Sequence, residues 1–71
     1  MGNYKERLVE EYVSLLDRYI TLHSFLIDYE AGKVNVQIKD IDLLYEQRDA
    51  MDAYLSVIEA RAEAEDVTLP Q

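Results

Sequence analysis

Apolar residues recur along residues 4–30 with the period of an α-helix, and they do so twice. Leu8, Tyr12, Leu15, Tyr19, Leu22, Leu26 and Tyr29 step alternately by four and three. That is the rhythm of a coiled-coil seam, held for about three heptads. Beside it run Val9, Val13, Leu16, Ile20 and Ile27. The two stripes together cover roughly 200° of helix surface, where one packing neighbour needs about 100°. A single partner helix cannot shelter both. The pattern therefore predicts a helix that packs within its own chain and also against something else. Glu6, Glu10, Ser14, Asp17, Thr21, Ser24 and Asp28 fill the polar side.

The boundaries carry their own signals. Asn3 is a suitable N-cap, and Glu6 follows three residues later, as in a capping box. Gly32 stands where a helix would end on a left-handed residue. Helix 1 is thus predicted over about 4–31. Residues 33–39 alternate, with Val34, Val36 and Ile38 on one side of an extended segment. We read 32–39 as a connector whose apolar side chains plug the hairpin end; a strand pairing with another subunit is the alternative. Helix 2 is predicted over about 40–65, with Asp40 as N-cap and Asp42 at the positive end of the helix dipole. Leu43, Leu44, Ala50, Met51, Tyr54, Leu55, Val57, Ile58 and Ala62 form an apolar arc of about 160°. Within it, Leu44, Gln47, Met51, Tyr54, Ile58 and Arg61 repeat the heptad rhythm. The tail, 66–71, contains Pro70 and is expected to fray or run extended. Two helices of similar length and a short connector give an all-α, single-domain antiparallel helical hairpin. With the second stripe unsheltered, that hairpin is expected to oligomerise into a helical bundle. The interface would be Val9, Val13, Leu16, Ile20, His23 and Ile27.

Composition narrows the choices. A chain of 71 residues buries little surface alone and commonly needs disulfides, a metal or self-association. It has no Cys and one His, so disulfides and zinc sites of several imidazoles or thiolates are removed, and no metal or cofactor is expected. Fifteen acidic residues against seven basic give a net charge of −8, which disfavours direct binding to nucleic acid and to anionic membranes. The same charge suits a basic partner, or simply keeps a small protein soluble. The N-terminus lacks the apolar segment of a signal peptide, and Gly2 lacks the hydroxyl at position 6 that myristoylation favours, since Glu6 stands there. A cytoplasmic protein is the expectation.

A few residues could carry function. His23 sits mid-arc between the two stripes, where it is either a hydrogen-bonded interior residue or a contact to a ligand. Gln47 and Arg61 are polar residues placed on the helix 2 seam, and such residues can fix register. Six Tyr against one Phe and no Trp suit surfaces that are half buried and half wet. Tyr12, Tyr19 and Tyr54 are expected to point inward. Tyr45 is expected outside, among Asp42, Glu46, Asp49 and Asp52, an acidic row of the kind that meets a basic partner. Those five form the candidate partner-binding patch. An alternative ligand site would use His23, Lys33, Tyr54 and Arg61. No nucleophile stands beside a base, and a thin hairpin lacks the cleft that separates two carboxylate pKa values, so no enzyme is expected.

The run Leu43-Leu44, Gln47, Ala50-Met51, Tyr54-Leu55, Ile58 and Arg61 resembles a family of small two-helix phage proteins related to one catalogued in crAss-like phages. Lys5-Glu-Arg7-Leu-Val-Glu-Glu-Tyr12 and the stretch through Phe25-Leu26 fit as well, so the resemblance covers residues 5–62. It implies a two-helix phage protein and brings no activity or site residues. By analogy of fold class, the expected function is non-enzymatic binding that counters a host defence, through a host protein held on the acidic faces. The alternatives are an oligomeric sponge for a cyclic-nucleotide immune signal and a structural or assembly protein of the phage particle.

Overall fold

A computed structural model describes residues 3–70; the reading of Gly2 lies outside them. The chain forms two helices, α1 (Tyr4–Glu30) and α2 (Ile41–Ala64), packed antiparallel as a hairpin. Asn3 caps α1 as expected, its side chain accepting from the Lys5 N–H at 2.8 Å. At the other end Gly32 adopts φ +74°. The Gly32 N–H donates to the Tyr29 carbonyl at 3.1 Å and the Lys33 N–H to the Asp28 carbonyl at 2.9 Å, a Schellman closure.

α2 starts differently from expectation. Asp40 occupies the N-cap, but its side chain makes no capping bond; only its carbonyl accepts, from Leu43 at 3.3 Å. The end of α2 repeats the closure of α1 without a glycine. Asp66 takes φ 56°, the Asp66 N–H donates to Glu63 at 3.2 Å, and the Val67 N–H donates to Ala62 at 2.8 Å. Beyond this turn Val67 and Leu69 pack on the core, so the tail, which has no helix or strand, is held rather than frayed.

The core is one layer deep. Leu8, Tyr12 and Leu15 from α1 meet Leu55, Ile58 and Ala62 from α2, and Leu26 is buried apart from them, nearer the connector. The radius of gyration is 15.1 Å, against about 11 Å for a compact chain of this length. A rod of 45 × 21 × 15 Å has little interior. The α1 seam from Leu8 to Tyr29 is buried or half-buried throughout, as its rhythm predicts.

On α2 the seam keeps Leu44, Met51 and Ile58 as expected, while the alternate positions fall one residue later, at Arg48, Leu55 and Ala62. Its covered residues are Ile41, Leu44, Arg48, Met51, Leu55, Ile58 and Ala62, again in steps of three and four. Gln47 and Tyr54, expected on the seam, are exposed, Tyr54 by 45%. The displacement leaves Leu43 60% and Val57 55% exposed, so α2 covers only part of its apolar arc. In the connector, Val34 and Ile38 are half-buried while Val36 is exposed.

Candidate binding groove and the two sides of the hairpin

The contacts between helices define two sides. On one, Arg61 pairs with Glu11 at 3.6 Å and donates to the Tyr4 hydroxyl at 3.3 Å, while Tyr54 donates to Glu11. On the other, the Tyr45 hydroxyl donates to Glu30 at 2.7 Å. Tyr45 and Tyr54 are nine residues apart, about 180° around a helix, so the two clasps lie on opposite faces.

Between the helices on the Tyr54 side runs an open groove of about 530 Å³. Leu22, Phe25 and Met51 give it apolar walls; Arg18, Gln47, Thr21 and Asp17 supply polar ends. Its size falls in the range of small-molecule sites, about 300–1,000 Å³. Phe25 stacks loosely on Tyr29, with ring centroids 6.4 Å apart. Arg18 is exposed and forms no ion pair among the described residues, so its guanidinium is free to take an anion. A π-face, a free guanidinium and an amide that both donates and accepts suit a planar ligand carrying negative charge. The Asp17 carboxylate opposes that charge and limits where it can sit.

Sequence reading did not single out Arg18 or Phe25. They stand seven residues apart on the border of the α1 seam, and that spacing was the available signal. What makes them a site is the approach of Gln47 and Met51 from α2.

The expected partner patch is only partly as read. Asp42, Glu46, Asp49 and Asp52 are all exposed. Tyr45 is not free among them: it is half-buried, its hydroxyl bound to Glu30 and its ring 5.2 Å from the Arg48 guanidinium carbon. Donation to the Glu30 carboxylate, aided by desolvation, raises the Tyr45 phenol above its ordinary pKa. Tyr45 therefore acts as a clasp that ties the start of α2 to the end of α1. Arg61 likewise does not lie on a buried seam. Its pKa is raised further, first by the hydrogen bond to Tyr4, so it stays a cation at any working pH.

The alternative ligand set does not converge within one chain. Tyr54 and Arg61 share the groove side, Lys33 lies in the connector, and His23 belongs to the opposite side. The His23 ring stacks on Tyr19 at 5.6 Å, and its buried Nδ1 has no hydrogen-bond partner among the described residues. Around it the second α1 stripe stands open: Val13 is 47%, Ile20 52% and Ile27 49% exposed. Val9, Leu16 and His23 are half-buried, and Leu16 packs on the core.

No helix among the described residues is long and apolar enough to cross a membrane. A family model described as Sequestin matches residues 2–64, nearly the whole hairpin. No curated protein and no solved structure matches the chain.

Proposed function

This chain belongs to the Sequestin family, and on that premise we propose that it works by stoichiometric capture of a nucleotide-like signal during phage infection. The family name supports sequestration as the mode of action. The groove is the observation that selects the ligand class. Phe25 and Met51 offer a surface for a base, where stacking contributes about 1–3 kcal/mol per base. Arg18 offers a charge-assisted contact to phosphate, and Gln47 an amide for a base edge. Capture of this kind needs no catalytic group. It removes a signal by mass action as long as copies outnumber ligand.

The test is a thermal-shift titration with a panel of cyclic dinucleotides, repeated by calorimetry. A true ligand raises the melting temperature with concentration, because it binds the folded state alone. Phe25→Ala and Arg18→Ala should each weaken the shift at least tenfold in concentration. No shift from any panel member at millimolar concentration contradicts the nucleotide reading.

A second reading rests on a separate observation. The carboxylates of Asp42, Glu46, Asp49 and Asp52 are all exposed along the outer side of α2, an arrangement that supports docking to a basic host protein. That binding would weaken steeply with salt and would survive loss of Phe25.

A further inference from the structure

We propose that copies of this chain associate groove side to stripe side, so that the α1 stripe of one copy closes the groove of the next. Two uncovered apolar edges lie on opposite sides of the hairpin. Val13, Ile20 and Ile27 mark one; Leu43, Tyr54 and Val57 mark the other. Each is about half exposed, although the Tyr54 hydroxyl is held by Glu11.

Charge decides how they pair. Helix geometry places Arg7, Arg18 and Arg61, three of the seven basic residues, on the groove side. The stripe side carries the α2 row of Asp49, Asp52, Glu59 and Glu63, spaced by three, seven and four. Arg48 is already engaged with Asp49 of this row at 3.4 Å. Stripe against stripe would set two such acidic rows together in a protein of net charge −8. Groove side against stripe side joins apolar edge to apolar edge and places the guanidinium groups of Arg7 and Arg18, neither ion-paired among the described residues, opposite carboxylates, Arg61 being held already by Glu11 and Tyr4. A face of 45 × 21 Å matches the roughly 800 Å² per partner of an ordinary stable interface.

The contact also completes the groove. A channel open to solvent along its length gains an apolar lid. His23 of one copy is carried toward Tyr54 and Arg61 of the next, which one chain holds on opposite sides. Because the two surfaces differ, the association is heterologous and builds a ring or an open stack rather than a closed two-fold dimer. This contact is read from mass, not from ligand binding, so it stands or falls separately from the capture proposal.

Two variants test it. Val13→Glu/Ile20→Glu blocks the stripe side, and Arg18→Glu/Val57→Glu blocks the groove side. Each alone should sediment as the 8.3 kDa protomer with an unchanged circular dichroism spectrum. Mixed in equal amounts, they should form a one-to-one pair of twice that mass, since each retains the surface the other needs. Should either glutamate variant fail to fold, Val13→Ser/Ile20→Ser and Arg18→Ala/Val57→Ser replace them with the same expected outcome. A groove-side variant that still self-associates would show a two-fold stripe contact and overturn the proposal. A mixture that stays at protomer mass overturns it too.

Discussion

α1 carries two apolar stripes of similar make-up and similar heptad spacing, and they meet opposite fates. Leu8, Tyr12, Leu15 and Leu26 are at most 9% exposed; Val13, Ile20 and Ile27 are about half exposed. Hydrophobic spacing does not separate them, since the Leu and Tyr of the first and the Val, Ile and Leu of the second both repeat every seven residues. What separates them is a partner: α2 lies against the first stripe, while of the second Leu16 reaches the core and Val13, Ile20 and Ile27 stay about half exposed. Burial on a hairpin this thin is a property of neighbours, and each stripe should respond to mutation accordingly.

The largest contrast comes from deleting the same side chain in the two settings. Ile58→Ala removes a fully buried residue opposite the first stripe and should cost about 2–5 kcal/mol, enough to unfold a marginal hairpin in a thermal melt. Ile20→Ala makes the same chemical change on the second stripe. It should cost the dilute protomer no more than about 0.5 kcal/mol while weakening self-association. An Ile20→Ala protomer destabilised as much as Ile58→Ala would mean that the stripe is covered from within.

The helix ends give a smaller comparison. Gly32 and Asp66 close their helices in the same left-handed conformation, but only one is the residue suited to it. A side chain there costs about 1–2 kcal/mol, offset by about 0.5–1 for glycine's greater chain entropy. Asp66→Gly should therefore raise stability by up to about 1 kcal/mol in a urea titration, with removal of a carboxylate near the negative helix end adding to the gain. A loss of stability would mean that the Asp66 side chain does something the backbone does not reveal.

Smaller again is the outward acidic row. Replacing Asp42, Asp49 and Asp52 with Asn should leave helix content unchanged by circular dichroism and shift stability by a few tenths of a kcal/mol, upward where self-repulsion outweighs the Asp42 dipole contact. The smallest effect belongs to the Tyr45 clasp. Its phenol pKa is raised in the folded state, so the contribution is complete below the unfolded value of about 10 and lost as pH rises through the folded value. Melting temperature followed from about pH 9 to 12 should therefore fall less steeply in Tyr45→Phe than in the parent chain.

The same contrast explains what could be read from the sequence. Helix 1, its Asn3 and Gly32 ends and its buried seam were legible because local chemistry and a long period agree. The α2 register was legible only in part: Leu44, Met51 and Ile58 lie on the seam as expected, and Gln47, Tyr54 and Arg61 give way to their neighbours Arg48, Leu55 and Ala62. Leu43-Leu44, Tyr54-Leu55 and Val57-Ile58 are adjacent apolar pairs, so two seams one residue apart fit the pattern equally. α1 selects the second member of each pair. Arg48 falls on that seam despite its charge, because its head turns over the Tyr45 ring while its stem packs. The tail was illegible because its turn depends on Asp66 in a conformation normally left to glycine. The groove was illegible because Arg18 and Phe25 become a site only when α2 arrives. The half-exposure of Tyr45 was misjudged for the same reason: Glu30, which holds it, is fifteen residues away in sequence.

The account turns on whether the second stripe is sheltered by other copies, and mass against concentration tests this most directly. Sedimentation or light scattering across a thousandfold dilution should show a mass above 8.3 kDa that declines toward the protomer, and Ile20→Glu should remain at 8.3 kDa throughout. A parent chain of 8.3 kDa at every concentration, folded and stable, would contradict the account.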